Sequence, residues 1–247
     1  MSNFFKSRNP IVNEKAIAKT ITYGNGYQEM DDVTTVEGAI NKSLILFGIL
    51  MLTATISFMM PSSLLLIAGG IGGFIAVLVS SFKPHTSPIA APVYAAFEGL
   101  FIGTLSAMYG AMFQGIVLNA ASLTLATLLL MLLLYKYKVI KVTQKLRAGI
   151  MIATAAIFVV YLISFILRLF HINVPYIHQG GAIGIGFSVF VIGLAAMNLL
   201  LDFDNFEEAA RQRAPKYMEW FCGLGLLVTV VWLYIEFLRL LAKLREE

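Results

Sequence analysis

The sequence predicts an all-α integral membrane protein with seven transmembrane helices. Three observations carry that expectation. Of the 247 residues, 59% are hydrophobic and 13% are charged, whereas an ordinary soluble domain has about 25% charged residues. The charge is missing from long blocks and concentrated between them, the pattern of a chain dissolved in lipid. Seven such blocks approach the ~20 residues that a helix needs to cross the hydrocarbon core.

The first block runs from about Leu44 to Met60 and is broken by Pro61. Ser62 and Ser63 open the second, which ends near Phe82. The segment KPHTSPIAAP holds three prolines and cannot be helical throughout. The third span covers about Val93 to Ala111, and the short turn MFQG leads to the fourth, Ile116 to Tyr135. A basic loop, KYKVIKVTQKLR, precedes the fifth span, Ala148 to Leu167. The loop RLFHINVPYIHQ leads to the sixth, Gly181 to Leu201. The polar stretch DFDNFEEAARQRAPK separates it from the seventh, about Phe221 to Ala242.

Residues 1–43 read as a mixed-charge tail, interrupted by Gly24, Asn25 and Gly26, and residues 44–247 as the transmembrane domain. No cleavable signal peptide is expected, because the first apolar block begins only at Leu44. Fourteen of the eighteen lysines and arginines fall on the side of the N-terminal tail. The positive-inside rule then puts the N-terminus in the cytoplasm and, with seven spans, the C-terminus outside, in a cell membrane. The formal charge of +4 does not point to nucleic acid, since the lysines sit at the ends of apolar blocks without interleaved aromatics. The single Cys222 excludes an intrachain disulfide and a multi-thiolate metal site, and it reads as a buried, inert residue.

Small residues mark expected helix contacts. AGGIGGF (68–74) and GGAIGIGF (180–187) place glycines four apart, which allows close backbone approach in lipid. Neither run has the Gly-Lys-Ser/Thr continuation of a phosphate loop.

Four carboxylates stand out against this background: Glu98 in YAAFEGLFIG, Asp202 and Asp204 in LLLDFDNF, and Glu236 in VVWLYIEFLRLL. A charge at mid-bilayer costs at least ~2.5–3.5 kcal/mol, so such groups face the bundle interior and have partners. At ~1.5 Å per residue, Glu236 lies ~22 Å from the N-terminal face, Glu98 lies at ~9 Å, and Asp202 is near the interface. The four are candidates for an ion-binding or proton-sensing site. Ca²⁺ is the cation that several carboxylate oxygens would suit, at Asp202, Asp204 and Glu236. Protonation would abolish both the site and the repulsion within it. Structural alternatives stand beside this one. Asp202 and Asp204 also read as the solvated end of a helix continuing as NFEEAARQR. Glu236 has Arg239 three positions on, on the same helical face, so the two can form a structural pair. Glu98 has no basic neighbour in its own helix; it is protonated, paired across helices, or lining a water-filled path.

No enzyme is expected. His-Glu-x-x-His and Gly-x-Ser-x-Gly are absent from the sequence. His171 and His178 flank Pro175 in a loop and read as solvated, and His85 says little. No cofactor is called for beyond Ca²⁺ as a transported ion.

The chain resembles the Bax inhibitor-1/YccA family of membrane proteins, also called the transmembrane Bax inhibitor motif family, in its bacterial branch. The matching stretches are SRNPIVN, MDDVTTVEGAINKSLILFGIL, YAAFEGLFIGTLSA, LLLYKYKVIKVT and NLLLDFDNFEEAARQRAPKYMEWFCGLGLLVTVVWLYIEFLRLL. The resemblance implies a seventh helix surrounded by the other six and a pH-sensitive calcium leak. It also implies that an aspartate ending the sixth helix, here Asp202 or Asp204, faces a carboxylate in the seventh, here Glu236. Two features depart from that pattern: the seventh-helix carboxylate is Glu rather than Asp, and it comes 32 residues after Asp204. One branch of the family is associated with a membrane-anchored ATP-dependent protease. The resemblance therefore also implies a rival role, a non-transporting regulator touching a partner through residues 1–43 and the loop 136–147.

Overall fold

A computed structural model of the chain describes residues 33–170 and 181–246. His171, Pro175 and His178, and nearly all of the expected N-terminal tail, lie outside the described residues. Seven helices long and apolar enough to cross a membrane occur among the described residues. They are α1 (Val36–Met59), α2 (Ser63–Phe82), α3 (Ser87–Met112), α4 (Ile116–Lys136), α5 (Gln144–Leu169), α6 (Ala182–Arg211) and α7 (Met218–Glu246). The protein is an all-α membrane protein, and its outer surface is studded with lipid-facing leucines, isoleucines and phenylalanines such as Leu44, Leu64 and Phe74.

Local chemistry sets the helix ends. Thr35 caps α1, its hydroxyl accepting from the Gly38 amide at 2.9 Å, so α1 begins eight residues before the apolar block. Ser62 caps α2 just after Pro61. The three prolines of the 2–3 connection are largely absorbed by helix starts. Pro84 opens a short 3₁₀ turn, Pro88 falls at the start of α3, and only Pro92 sits inside that helix. Helix α3 thus starts at Ser87 rather than near Val93. Gly115, at φ +76°, makes the tight turn into α4. Helices α4 and α6 end alike: Val139 donates to Leu134 and Lys138 to Tyr135, while Ala214 donates to Ala209 and Arg213 to Ala210. This is the Schellman pattern, with Lys138 and Arg213 in the left-handed position usually held by glycine. The segment EEAAR continues α6, so its 30 residues reach ~45 Å, well beyond the ~30 Å hydrocarbon core. Lys145 and Arg147 likewise belong to the first turns of α5 rather than to a loop.

Helix α7 is the axis of the bundle. Its apolar window is 61% buried, against 11% for α5. It packs along its length on α1, α3, α4 and α6. Leu233 and Leu238 join Leu199, Leu200, Ala195 and Ile116 in one core cluster. Leu224, Leu227 and Val231 join Leu46, Leu50, Tyr94 and Ala76 in a second. Helices α2 and α5 take the outer positions, α2 against α3 and α5 against α6.

The two glycine runs behave differently. In the first, a Cβ on Gly69 would meet the Phe101 amide nitrogen at 2.6 Å and the Phe97 carbonyl at 2.7 Å. The α2 backbone therefore lies directly on α3. Gly99 and Gly103 serve α3 in the same way against Leu50, Thr53 and Ala54 of α1. In the second run, Gly186 has open space beside it, and Gly181 stands at φ +104° before α6. Gly184 is buried and offers its carbonyl to a lysine on α7. Close packing thus accounts for Gly69 of the first run, and Gly186 of the second has no neighbour to meet.

Candidate functional site

Helix α7 presents three charged residues at i, i+3 and i+7 to α5 and α6: Glu236, Arg239 and Lys243. Glu236 is 1% exposed. Its Oε1 accepts from the Tyr161 hydroxyl on α5 and from Arg239 Nη1, each at 2.9 Å. The Arg239 guanidinium also lies 5.1 Å from the centre of the Tyr161 ring. Phe187 of α6 backs that ring edge-on. One turn further, Lys243 Nζ donates to the Gly184 carbonyl at 3.0 Å and to Ser188 Oγ at 2.9 Å. Glu236 thus pairs with Arg239, while Lys243 is held by the neutral acceptors of α6. The second Glu236 oxygen, Oε2, is buried without a hydrogen-bond partner.

Asp202 and Asp204 are two residues apart, about 200° around a helix of 3.6 residues per turn, and they look to different neighbours. Asp202 faces α7: Oδ1 lies 3.6 Å from where a Cβ on Gly225 would stand, and Thr229 is a further neighbour. Asp202 Oδ2 is buried without a partner. Asp204 instead faces α5 and forms an ion pair with Arg147, which also donates to Asn205 Oδ1 at 2.9 Å.

Depth follows from cross-helix contacts. The hydroxyls of Ser106 on α3 and Tyr234 on α7 lie 2.7 Å apart, so these residues are level. Glu98, eight residues before Ser106, is then ~12 Å lower, near the level of Leu226. Asp202, beside Gly225 and Thr229, lies at that same depth. Glu236 is ~15 Å further along α7. Glu98 does not face Asp202, however. It points at α2, where a Cβ on Gly73 would meet its Oε2 at 2.8 Å. The four carboxylates therefore do not converge: Asp202 faces α7, Glu98 faces α2 at the same depth, Asp204 faces α5, and Glu236 lies further along α7. No group of three or more His, Cys, Asp or Glu side chains fit to hold a metal occurs among the described residues. Cys222 is buried near Asn205, its thiol 3.9 Å from that carbonyl.

A fifth carboxylate escaped the sequence reading. Glu219, in the first turn of α7, is fully buried. Its Oε1 accepts from the Thr35 amide at 3.0 Å, the Thr35 hydroxyl at 3.2 Å and Lys216 Nζ at 3.0 Å. Its Oε2 has no partner. The carboxylate sits on the positive end of α1, where a negative charge is favoured. Thr34 adds two bonds to the 6–7 turn, to the Ala214 and Pro215 carbonyls at 2.8 and 2.7 Å. Lys42 lies over the Trp220 ring at 4.9 Å. The start of α1 is thereby tied to the start of α7. The available signal was a Glu beside Trp220 and three residues after Lys216, just before the apolar block. Tyr161 was also missed, because a lone tyrosine in an apolar span carries no periodic signal.

The fold and these charges define a class: a seven-helix membrane protein whose central helix carries ionisable groups at several depths. The family model described as Bax inhibitor 1 like matches residues 9–246, nearly the whole chain, and the chain belongs to that family. Neither the curated proteins nor the solved structures contain a significant match to it.

Proposed function

We propose that the protein is a pH-sensitive cation leak channel or exchanger of the cell membrane, with Ca²⁺ as the transported ion and the N-terminus in the cytoplasm. The observation that carries this reading is that Asp202 Oδ2 and Glu236 Oε2 are buried without hydrogen-bond partners beside the central helix, a condition that Glu219 Oε2 at the start of that helix shares. Leaving a buried charged acceptor unmet costs more than the ~1–3 kcal/mol of a neutral group. A proton or a hard cation removes that cost at the same atoms, so the two compete.

The outer half of α7 is the element that responds. Ionised Glu236 holds Arg239 and Tyr161 together and clamps α7 to α5. The other titratable or charged groups near it are Tyr109 of α3 and Lys243 and Glu246 of α7. Protonation of Glu236 removes the acceptor charge and loosens the clamp, so flux rises as the pH falls. Asp202 and Glu98, about 15 Å away and level with each other, are the entry-side oxygens on the cytoplasmic half.

The test uses the purified chain alone in vesicles loaded with a Ca²⁺ dye. Flux from the wild type that is reduced in Asp202→Asn supports the reading. A folded protein that passes no Ca²⁺ refutes it. That outcome favours the rival, a regulator that engages a partner membrane protein through residues 1–43 and the loop 136–147.

A further inference from the structure

Helices α1 and α4 part on the side of the α1 N-terminus and leave a cleft of about 690 Å³. Its walls are Ile40 and Leu44 of α1 and Leu129 and Leu132 of α4, all exposed on the outer surface of the bundle. Phe203 of α6, with the Tyr135 ring tilted against it at 5.8 Å, and Leu226 of α7 form its floor. Between Leu128 and Lys136 the cleft follows α4 for ~12 Å, close to the ~15 Å depth of one leaflet.

The rim differs from the walls. Lys136, Lys138 and Lys141 surround the mouth, and none of them makes an ion pair among the described residues. Two carboxylates share the rim. Asp204 is neutralised by Arg147, and Glu207 is exposed. The excess charge at the mouth is therefore positive. Lys138 holds the left-handed position of the α4 terminus, where a side chain is disfavoured relative to glycine.

We propose that this cleft binds one anionic phospholipid of the adjacent leaflet, its acyl chain along Leu44 and Leu129 and its phosphate on Lys136, Lys138 and Lys141. An apolar slot one leaflet deep fits a chain, and a basic mouth at the interface fits an anionic headgroup. With the N-terminus in the cytoplasm, this is the cytoplasmic leaflet. The bound lipid fills the gap between α1 and α4 and reaches the central helix at Leu226, next to the Gly225 that abuts Asp202.

The experiment is electron spin resonance of the full chain in vesicles containing spin-labelled phosphatidylglycerol or spin-labelled phosphatidylcholine. The expected result is a phosphatidylglycerol preference of about five-fold or more, falling to near unity in the Lys136→Gln/Lys138→Gln/Lys141→Gln variant. Lys83→Gln, on another loop of the same face, keeps the preference. Leu129→Trp fills the cleft without touching the lysines and is expected to lower the motionally restricted fraction. Should the triple variant fold poorly, Lys138→Gln alone is expected to reduce the preference. Equal association of the two lipids, or an undiminished preference in the lysine variants, overturns the proposal. So does displacement of the lipid signal by inorganic phosphate at equal concentration, which identifies a free-anion site. A stable dimer whose cross-links run through the cleft and exclude lipid overturns it as well.

Discussion

Tyr161 on α5 donates its hydroxyl to Glu236 at the core of α7, and this 2.9 Å bond joins the outermost helix to the central one. Arg239 donates to the same oxygen. Tyr161→Phe removes the bond and leaves the Glu236–Arg239 pair in place. A hydrogen bond to a charged group contributes about 1.5–3 kcal/mol, so the variant is expected to lower thermal stability in detergent by about that amount. Calcium flux at alkaline pH is expected to rise, since α5 is no longer held.

The Glu236–Arg239 pair is only half hidden. Glu236 is 1% exposed and Arg239 is 38% exposed, so water screens the attraction from one side. Replacing Glu236 alone or Arg239 alone is expected to cost more than half of what replacing both costs. A coupling of ~1–2 kcal/mol in a double-mutant cycle with Gln at each position is expected. Additive losses would show that the two residues act separately.

Thr35 and Glu219 form the second fastening, at the opposite end of α7. Thr35→Ala removes a helix cap and is expected to cost ~1 kcal/mol. Glu219→Ala strands the Thr35 amide and Lys216 together and is expected to cost more, ~2–3 kcal/mol. Hydrogen exchange at the first turn of α1 checks both, with faster exchange in the Glu219 variant.

Glycines separate contact faces from lipid faces. Gly69→Ala places a methyl on the α3 backbone and is expected to destabilise by ~1–3 kcal/mol. Gly186→Ala and Gly193→Ala meet nothing within 4 Å. They are expected to be neutral or to stabilise α6 by up to ~1 kcal/mol through helix propensity. Denaturation midpoints of the three variants order them directly.

The seven spans were legible because each is an apolar block with a Pro, Gly or charge run at its ends. Their true lengths were less so. Val36–Lys42 and Glu207–Arg211 are helical yet too polar to count as membrane-spanning, so the caps at Thr35 and Arg213 fell outside the blocks. The carboxylates Glu98, Asp202 and Glu236 were visible because lipid makes any charge conspicuous. Which of them meet was not visible, because rotation about each helix axis is fixed by packing between distant segments. Asp202 and Asp204 differ by two positions and hence by facing, which turns one to α7 and the other to Arg147. Glu219 was hidden in plain polar company beside Lys216 and only becomes conspicuous once α1 lies on it.

The most direct measurement is the Ca²⁺ flux of proteoliposomes at acidic, neutral and alkaline pH, for wild type and Glu236→Gln. The expected result is a wild-type flux that rises toward acid and a variant flux that stays high and flat, because glutamine holds the clamp in its uncharged form. A variant curve that keeps the wild-type pH dependence would contradict the assignment of the sensor to Glu236.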